Sequence, residues 1–184
     1  MGEAIAVVAF PEFCDLESRG DHRHELVGGR VYAMAGGSER HDLTAGLLYE
    51  AIAPGARGRA CRPFISNRLL RTSAGNGYYP DVMVVCGSAV HRLYEENPAL
   101  IIEVLSPSTA DTDRREKALA YTASASLVAY VLVDPDRRRF EVAEASVGGL
   151  AWRAYGPGET VATPYTVIDV DAFYDLLDSI ATTT

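Results

Sequence analysis

The 184-residue chain lacks a cysteine framework, an excess of positive charge, a long apolar run and any low-complexity tract. Each absence excludes something. Its three cysteines, Cys14, Cys61 and Cys86, are an odd number with no Cys-x-x-Cys pair. That argues against a disulfide scaffold or a cysteine zinc knuckle, and predicts reduced structural thiols in a cytoplasmic protein. No stretch reaches the ~18 apolar residues of a membrane span. The first eight residues carry an acid, Glu3, where a secretory leader would be basic, and Pro11-Glu12 interrupts the short apolar run that follows. A net charge of −8 speaks against non-specific binding to nucleic acid. It leaves room for a nuclease, whose metal-binding acids add negative charge and whose basic contact surface can be local. Arg57, Arg59, Arg62, Arg68 and Arg71 form the most basic region and read equally well as such a surface or as a solvated loop and strand face.

What is present suits one domain over residues 1–184: 48% hydrophobic residues, no internal repeat and no dividing linker. Phe10, Phe13 and Leu16 predict a short helix over 10–20. Residues 21–34 read as a hairpin turning at Gly28-Gly29, with Glu25 near the end of its first strand. Glu25 there is either a solvent-facing strand residue or a third acid for a site. Ser38 is an N-cap candidate for a helix over 39–52 that Pro54-Gly55 ends. His41, in its first turn, reads as a neutral histidine making a structural hydrogen bond or as a contact to the site. Further strands are expected over 62–71, 80–85, 99–105 and 128–133, then short antiparallel strands and a helix over 170–180. Ser106, Ser108 and Thr109 can cap a helix over 111–124. The pattern predicts a mixed α/β fold, its strands after residue 60 central and flanked by the two main helices.

The chemistry concentrates between Tyr79 and Tyr121. The apolar runs 80–85 and 99–105 each contain one acid, Asp81 and Glu103. A carboxylate in a buried strand is costly unless paired, protonated or metal-bound, and two of them suit a hard divalent cation. Residue 105, where a lysine would share the face of Glu103, is Leu105. The following helix offers a replacement, because Asp113, Lys117 and Tyr121 fall on one stripe at i, i+4 and i+8. A basic group beside an activated water would ease and orient its deprotonation. Read alone, Asp113 and Lys117 are an ordinary surface ion pair. Arg114, Arg115 and Glu116 lie off the stripe and read as solvated charges. A zinc reading through His22, His24 and His91 lacks a matching fourth ligand.

Tyr79-Pro80-Asp81-Val82, Ile102-Glu103-Val104-Leu105-Ser106-Pro107-Ser108-Thr109, and then Asp113, Lys117 and Tyr121 resemble the bacterial family of putative restriction endonucleases in the PD-(D/E)xK superfamily. Glu25-Leu26-Val27, Gly29-Arg30-Val31-Tyr32, His41 and Val131-Leu132-Val133-Asp134-Pro135 resemble it too. Gly28 and Ala129 depart from its pattern, each standing where an acid is expected. The resemblance implies a restriction-endonuclease-like core, a mixed sheet flanked by helices, and Mg²⁺-dependent hydrolysis of DNA, with Mn²⁺ able to substitute. It implies that Asp81, Glu103 and the Val104 carbonyl hold the metal. Lys117 takes the role of the usual strand lysine, and Glu25 is an additional acid near the metal. Asp113 and Tyr121 support Lys117 or the helix packing, and His41 belongs to the same pattern. Nucleases that cut both strands often act as two-fold dimers, so a homodimer is expected. The competing reading is a nuclease-fold module with a binding or regulatory role. Convergence of Asp81, Glu103 and Lys117 in one cleft, rimmed by basic residues, separates the two.

Overall fold

The computed structural model describes residues 7–34, 36–107, 110–146 and 149–181. Helix α1 (Phe10–Arg19) starts where the Glu12 carboxylate accepts from the Ala9 N–H, and it buries Phe10, Phe13 and Glu17 rather than Leu16. Strands β1 (His24–Val27) and β2 (Arg30–Ala33) form the expected hairpin. Its turn needs positive φ at both central residues, and Gly28 and Gly29 supply +55° and +77°. Helix α2 (Glu39–Arg57) is capped by Ser38, whose Oγ accepts from the His41 N–H. It does not stop at Pro54-Gly55. Proline within a helix deletes one hydrogen bond without ending the element, and the Gly58 N–H closes the last turn on the Pro54 carbonyl. Gly55 is the point where the Tyr165 carbonyl meets the helix backbone, too close for a Cβ.

Strands β3 (Cys61–Ile65), β4 (Leu69–Arg71), β5 (Gly77–Tyr78), β6 (Val82–Cys86), β7 (Tyr94–Glu95) and β8 (Pro98–Val104) follow. The single strand expected over 62–71 is therefore two. Ser66 takes a left-handed conformation, φ +48°, and its N–H bonds the Asp81 carbonyl, so the chain leaves one sheet and enters another. The next helical segment is composite: α3 (Ala110–Thr112), a π turn (Asp113–Lys117) and α4 (Ala118–Thr122). Ser108 and Thr109, two of its expected caps, lie outside the described residues. Strands β9 (Ala129–Asp134), β10 (Arg139–Ser146), β11 (Gly149–Tyr155), β12 (Thr160–Ala162) and β13 (Val167–Asp169) lead to α5 (Val170–Ile180), whose cap is the Asp169 carboxylate.

The main sheet has the order β11-β10-β9-β8-β6-β3, antiparallel throughout except between β8 and β9. On one face Val82, Ile102 and Val131 pack against Leu48 and Ile52 of α2 and Leu177 of α5. On the other, Met83, Ile101 and Leu132 pack against Ala118 and Tyr121 of α4 and Tyr78 of β5. Burial on both faces explains the unbroken apolar runs of β6, β8 and β9. A second sheet, β2-β1-β5-β4-β7, carries the hairpin. Among the described residues no helix is long and apolar enough to cross a membrane.

The thiol expectation is corrected. Register places Cys61 opposite Cys86 on β3 and β6, with Cα atoms 4.1 Å apart, and the two form a disulfide; Cys14 remains free and buried. The arginines of the basic region are also paired within the chain. Arg62 holds Glu95 through two bonds of 2.9 Å, Arg68 Nη2 adds a third of 2.8 Å, and Arg71 pairs with Glu96. Arg57 bonds the Tyr49 hydroxyl, and Arg59 bonds the Pro164 carbonyl.

Burial pushes the Glu95 carboxyl up, but the two guanidiniums outweigh it and hold the group below its ordinary 4.5. Its contribution to stability is complete above pH 4.5 and disappears as pH falls through the depressed folded-state value. Urea midpoints measured from about pH 6 down to pH 3 should show this loss, and Glu95→Gln should flatten that part of the profile.

Candidate active site

Antiparallel pairing of β6 with β8, Val82 opposite Ile102, carries Asp81 to the level of Glu103. Asp81 stands just ahead of β6, held by its backbone, and its N–H donates to Glu103 Oε2 at 3.3 Å. The Val104 N–H donates to Asp81 Oδ2 at 2.8 Å. Both acids line a cleft of about 500 Å³ together with Glu25, His41, Val104, Asp113 and Lys117.

Lys117 enters from the helical segment, as its spacing predicts. Its Nζ lies 3.1 Å from Glu25 Oε1, 3.2 Å from Asp113 Oδ1 and 3.3 Å from Glu103 Oε1. The π turn matters here. Such a turn widens the helix by one residue and recurs at functional sites; in this one both Asp113 and Lys117 are buried. The Tyr130 hydroxyl donates to the Asp113 carbonyl at 3.0 Å, bracing the widened turn. Tyr121, one turn further, donates its O–H to Glu103 Oε1 at 2.8 Å.

Four carboxylates, Glu25, Asp81, Glu103 and Asp113, thus face one ammonium and one imidazole. Burial drives the Glu103 carboxyl well above 4.5, with Lys117 as the main opposing influence. Glu25 is raised for the same reason, again opposed by Lys117. Burial alone would discharge Lys117, but Glu103, Glu25 and Asp113 together raise it well above 10.5. It is an ammonium at any physiological pH. The Tyr121 phenol, raised by burial and by Glu103, stays a donor. His41 Nε2 lies 3.3 Å from Asp81 Oδ2, and that hydrogen bond raises the imidazole to about 9. It is therefore charged at neutral pH, against the neutral reading; the carboxylates of Asp81 and Asp42 outweigh burial, which favours the neutral ring.

The donor set suits a hard divalent cation. Its acids outnumber its cations, and among the described residues the buried Glu25 Oε1 and Asp113 Oδ1 have Lys117 as their one partner, at 3.1 and 3.2 Å. Among the described residues no three acid, histidine or cysteine groups form a ready-made cage. Mg²⁺ does not need one, because it commonly takes one or two carboxylates and completes its octahedron with water and substrate phosphate.

Every residue expected at the site reaches it. Glu25, whose solvent-facing reading was open, faces inward. Tyr130 was missed and no local pattern marks it. One signal was available: Lys117 is the only lysine in the chain. Of the charges read as solvated, Arg114 pairs with Glu141 and Glu116 accepts from the Tyr78 hydroxyl. The zinc triad does not assemble: His24 binds Glu17 and His91 binds Glu96.

A mixed sheet between helices, with paired acids at the edge of two central strands and a lysine reaching them from a helix, defines the restriction-endonuclease-like class. The chain belongs to the Uma2 family, described as "Putative restriction endonuclease", whose model matches residues 10–171. The uncharacterized protein slr1290 of Synechocystis is 33% identical over 127 residues, which cover 66% of this chain and 66% of that protein, just under two thirds. A second uncharacterized Synechocystis protein, sll1609, is 28% identical over 79% of this chain and 85% of its own length. The crystal structure of a putative nuclease belonging to DUF820 from Anabaena variabilis superposes with a TM-score of 0.78, covering 92% of this chain and 99% of that one at 17% identity; it bears on the fold alone.

Proposed function

We propose that this protein is an Mg²⁺-dependent endonuclease that hydrolyses DNA phosphodiester bonds at Asp81, Glu103 and Lys117, working as a homodimer with one site per strand. The observation that carries this reading is the meeting of the chain's only lysine with two buried carboxylates, Glu103 and Asp113, and the half-buried Glu25, beside Asp81, in one cleft. Asp81 and Glu103, with the Val104 carbonyl, would hold the metal, and Mn²⁺ would substitute. Bound there, the metal supplies Lewis-acid polarisation of the phosphate and a more acidic water.

The protein's own groups do the rest. Lys117 orients the attacking water and offsets the negative charge that grows on the phosphoryl oxygens. Glu25 and Asp113 hold the ammonium in place, and Tyr121 fixes the Glu103 oxygen nearest to it. His41, charged and beside Asp81, can donate to a phosphate oxygen at the mouth of the cleft.

The test is incubation of pure protein with supercoiled plasmid in Mg²⁺, in Mn²⁺ and in EDTA. Nicked or linear product with either metal and none in EDTA is expected. Intact plasmid in all three, from folded protein, would favour the binding-module reading.

A further inference from the structure

The β1–β2 hairpin has two unlike faces. Register puts Leu26 beside Val31 on one, and Glu25 beside Tyr32 and Val27 beside Arg30 on the other. Leu26 and Val31 pack with Phe10 and Phe13 of α1. The opposite face turns towards the site: Val27 packs on Tyr78, Ala118 and Tyr121, and Glu25 reaches Lys117 at 3.1 Å. Strand β1 supplies those contacts, and β2 is the edge strand of its sheet. Alternation along the strand places Arg30, Tyr32 and Met34 in one row on that face, the Met34 N–H continuing the pairing to the Arg23 carbonyl. Met34 ends the row in the wall of the cleft. The other two side chains are uncommitted. Tyr32 is 49% exposed and Arg30 is exposed, and among the described residues neither side chain makes a hydrogen bond, ion pair or ring contact. In a chain of net charge −8 this is unusual: Arg62, Arg68, Arg71, Arg114 and Arg138 are each held by a carboxylate. The one acid on that face of the hairpin, Glu25, is already engaged by Lys117. The hairpin is also fixed to the site. The Gly28 N–H donates to Asn76 Oδ1 at 3.0 Å, Asn76 Nδ2 donates to the Tyr78 hydroxyl at 3.2 Å, and that hydroxyl donates to Glu116 Oε1 at 3.1 Å, in the π turn that carries Lys117. A contact made by the row is thus held in register with the cleft.

We propose that this row is a contact surface for duplex DNA: one strand leaves the cleft over Met34 and runs along β2, with the Tyr32 hydroxyl and the Arg30 guanidinium each on a backbone phosphate. Arginine and tyrosine are common donors to phosphate, and such contacts fix the register of a duplex without reading its sequence. From Met34 to Arg30 the strand spans ~13 Å, and one DNA strand advances ~3.4 Å per nucleotide, so the row reaches about four nucleotides along it. Taking DNA as the occupant rests on the nuclease reading.

The test is fluorescence anisotropy with a labelled duplex of about 20 base pairs, two helical turns, using the full chain and EDTA so that nothing is cut. Arg30→Glu should weaken binding by about tenfold or more, because it reverses a charge at a phosphate. Arg30→Ala should lessen the slope of log affinity against log salt by about 0.9. Tyr32→Phe should weaken binding about fivefold, as for one hydrogen bond, and leave that slope unchanged because it removes a neutral donor. Arg57→Glu, at the far end of α2 from His41 and ~24 Å away along the helix, should leave affinity unchanged at about 0.15 M salt, where charges more than ~8 Å apart are largely screened. Wild-type affinity in Arg30→Glu or in Tyr32→Phe, an equal loss in Arg57→Glu, or no binding by the wild type even at low salt would each overturn this surface. Plasmid cleavage is read separately. Metal-dependent cleavage by a protein whose Arg30→Glu form binds normally overturns the surface and leaves the nuclease reading standing; binding that depends on Arg30 without cleavage does the reverse.

Discussion

Lys117→Ala is expected to destabilise the protein by about 3–5 kcal/mol, the usual result of removing one member of a buried ion pair. The side chain is 8% exposed and faces three acids, so its loss leaves Glu25, Glu103 and Asp113 uncompensated in a buried cleft. The defect should depend on pH. Glu103 and Glu25 are already raised by burial, and without the ammonium they rise further. An acid with a raised folded-state value favours the folded state while protonated, and that advantage is lost as pH climbs from 4.5 through the raised value. Urea midpoints of the variant should therefore approach wild type in mild acid and fall away towards neutrality. A midpoint equal to wild type at neutral pH would show that Lys117 does not balance the cleft. Where Lys117→Ala is too unstable to handle, Lys117→Met keeps the packing of the stem. In either variant turnover should fall more than metal affinity. The single lysine also allows a direct check: its one NMR signal should show no deprotonation up to pH 10.5.

Asp81→Asn and Glu103→Gln carry the largest expected effect on activity. Each should lower metal-dependent cleavage by about a thousandfold or more, equivalent to about 4 kcal/mol of barrier, because each removes a charge that the metal requires. Neither should unfold the protein. In Glu103→Gln the new amide oxygen would still accept from Tyr121, and Lys117 would retain Glu25 and Asp113. Glu103→Gln should cost about 1–3 kcal/mol, because the Asp81 N–H that donates to Glu103 Oε2 would face an amide nitrogen that cannot accept, a cost reduced by removing a charge that burial opposes. The pair of readouts separates chemistry from folding. Loss of cleavage together with loss of fold would count against the assignment, and retained cleavage in either variant removes that residue from the site.

The carboxylates were legible because an acid inside an apolar β-branched run is an energetic anomaly wherever the run is buried. The β1–β2 hairpin and helix α5 were legible for local reasons: glycines at positive φ and an aspartate cap. What stayed hidden depends on contacts distant in sequence. Cys61 meets Cys86 only through the register of β3 on β6, and spacing alone gives no hint of it. The second sheet is held by pairings as short as Leu26 with Gly77, below what a periodic pattern can reveal. Glu95 reads as part of a polar connector in the sequence, and only the fold brings Arg62 and Arg68 around it. The π turn was illegible because its residues are ordinary helix formers. The expected i, i+4, i+8 stripe still brought Lys117 to Glu103.

Calorimetric titration of Mn²⁺ and Mg²⁺ into wild type and Glu103→Gln tests the metal centre without knowledge of the natural substrate. One site per chain, competed by either ion and lost or weakened by about a hundredfold in Glu103→Gln, is the predicted result. Undiminished binding in Glu103→Gln, or none by the wild type at millimolar metal, would contradict a metal centre on Asp81 and Glu103.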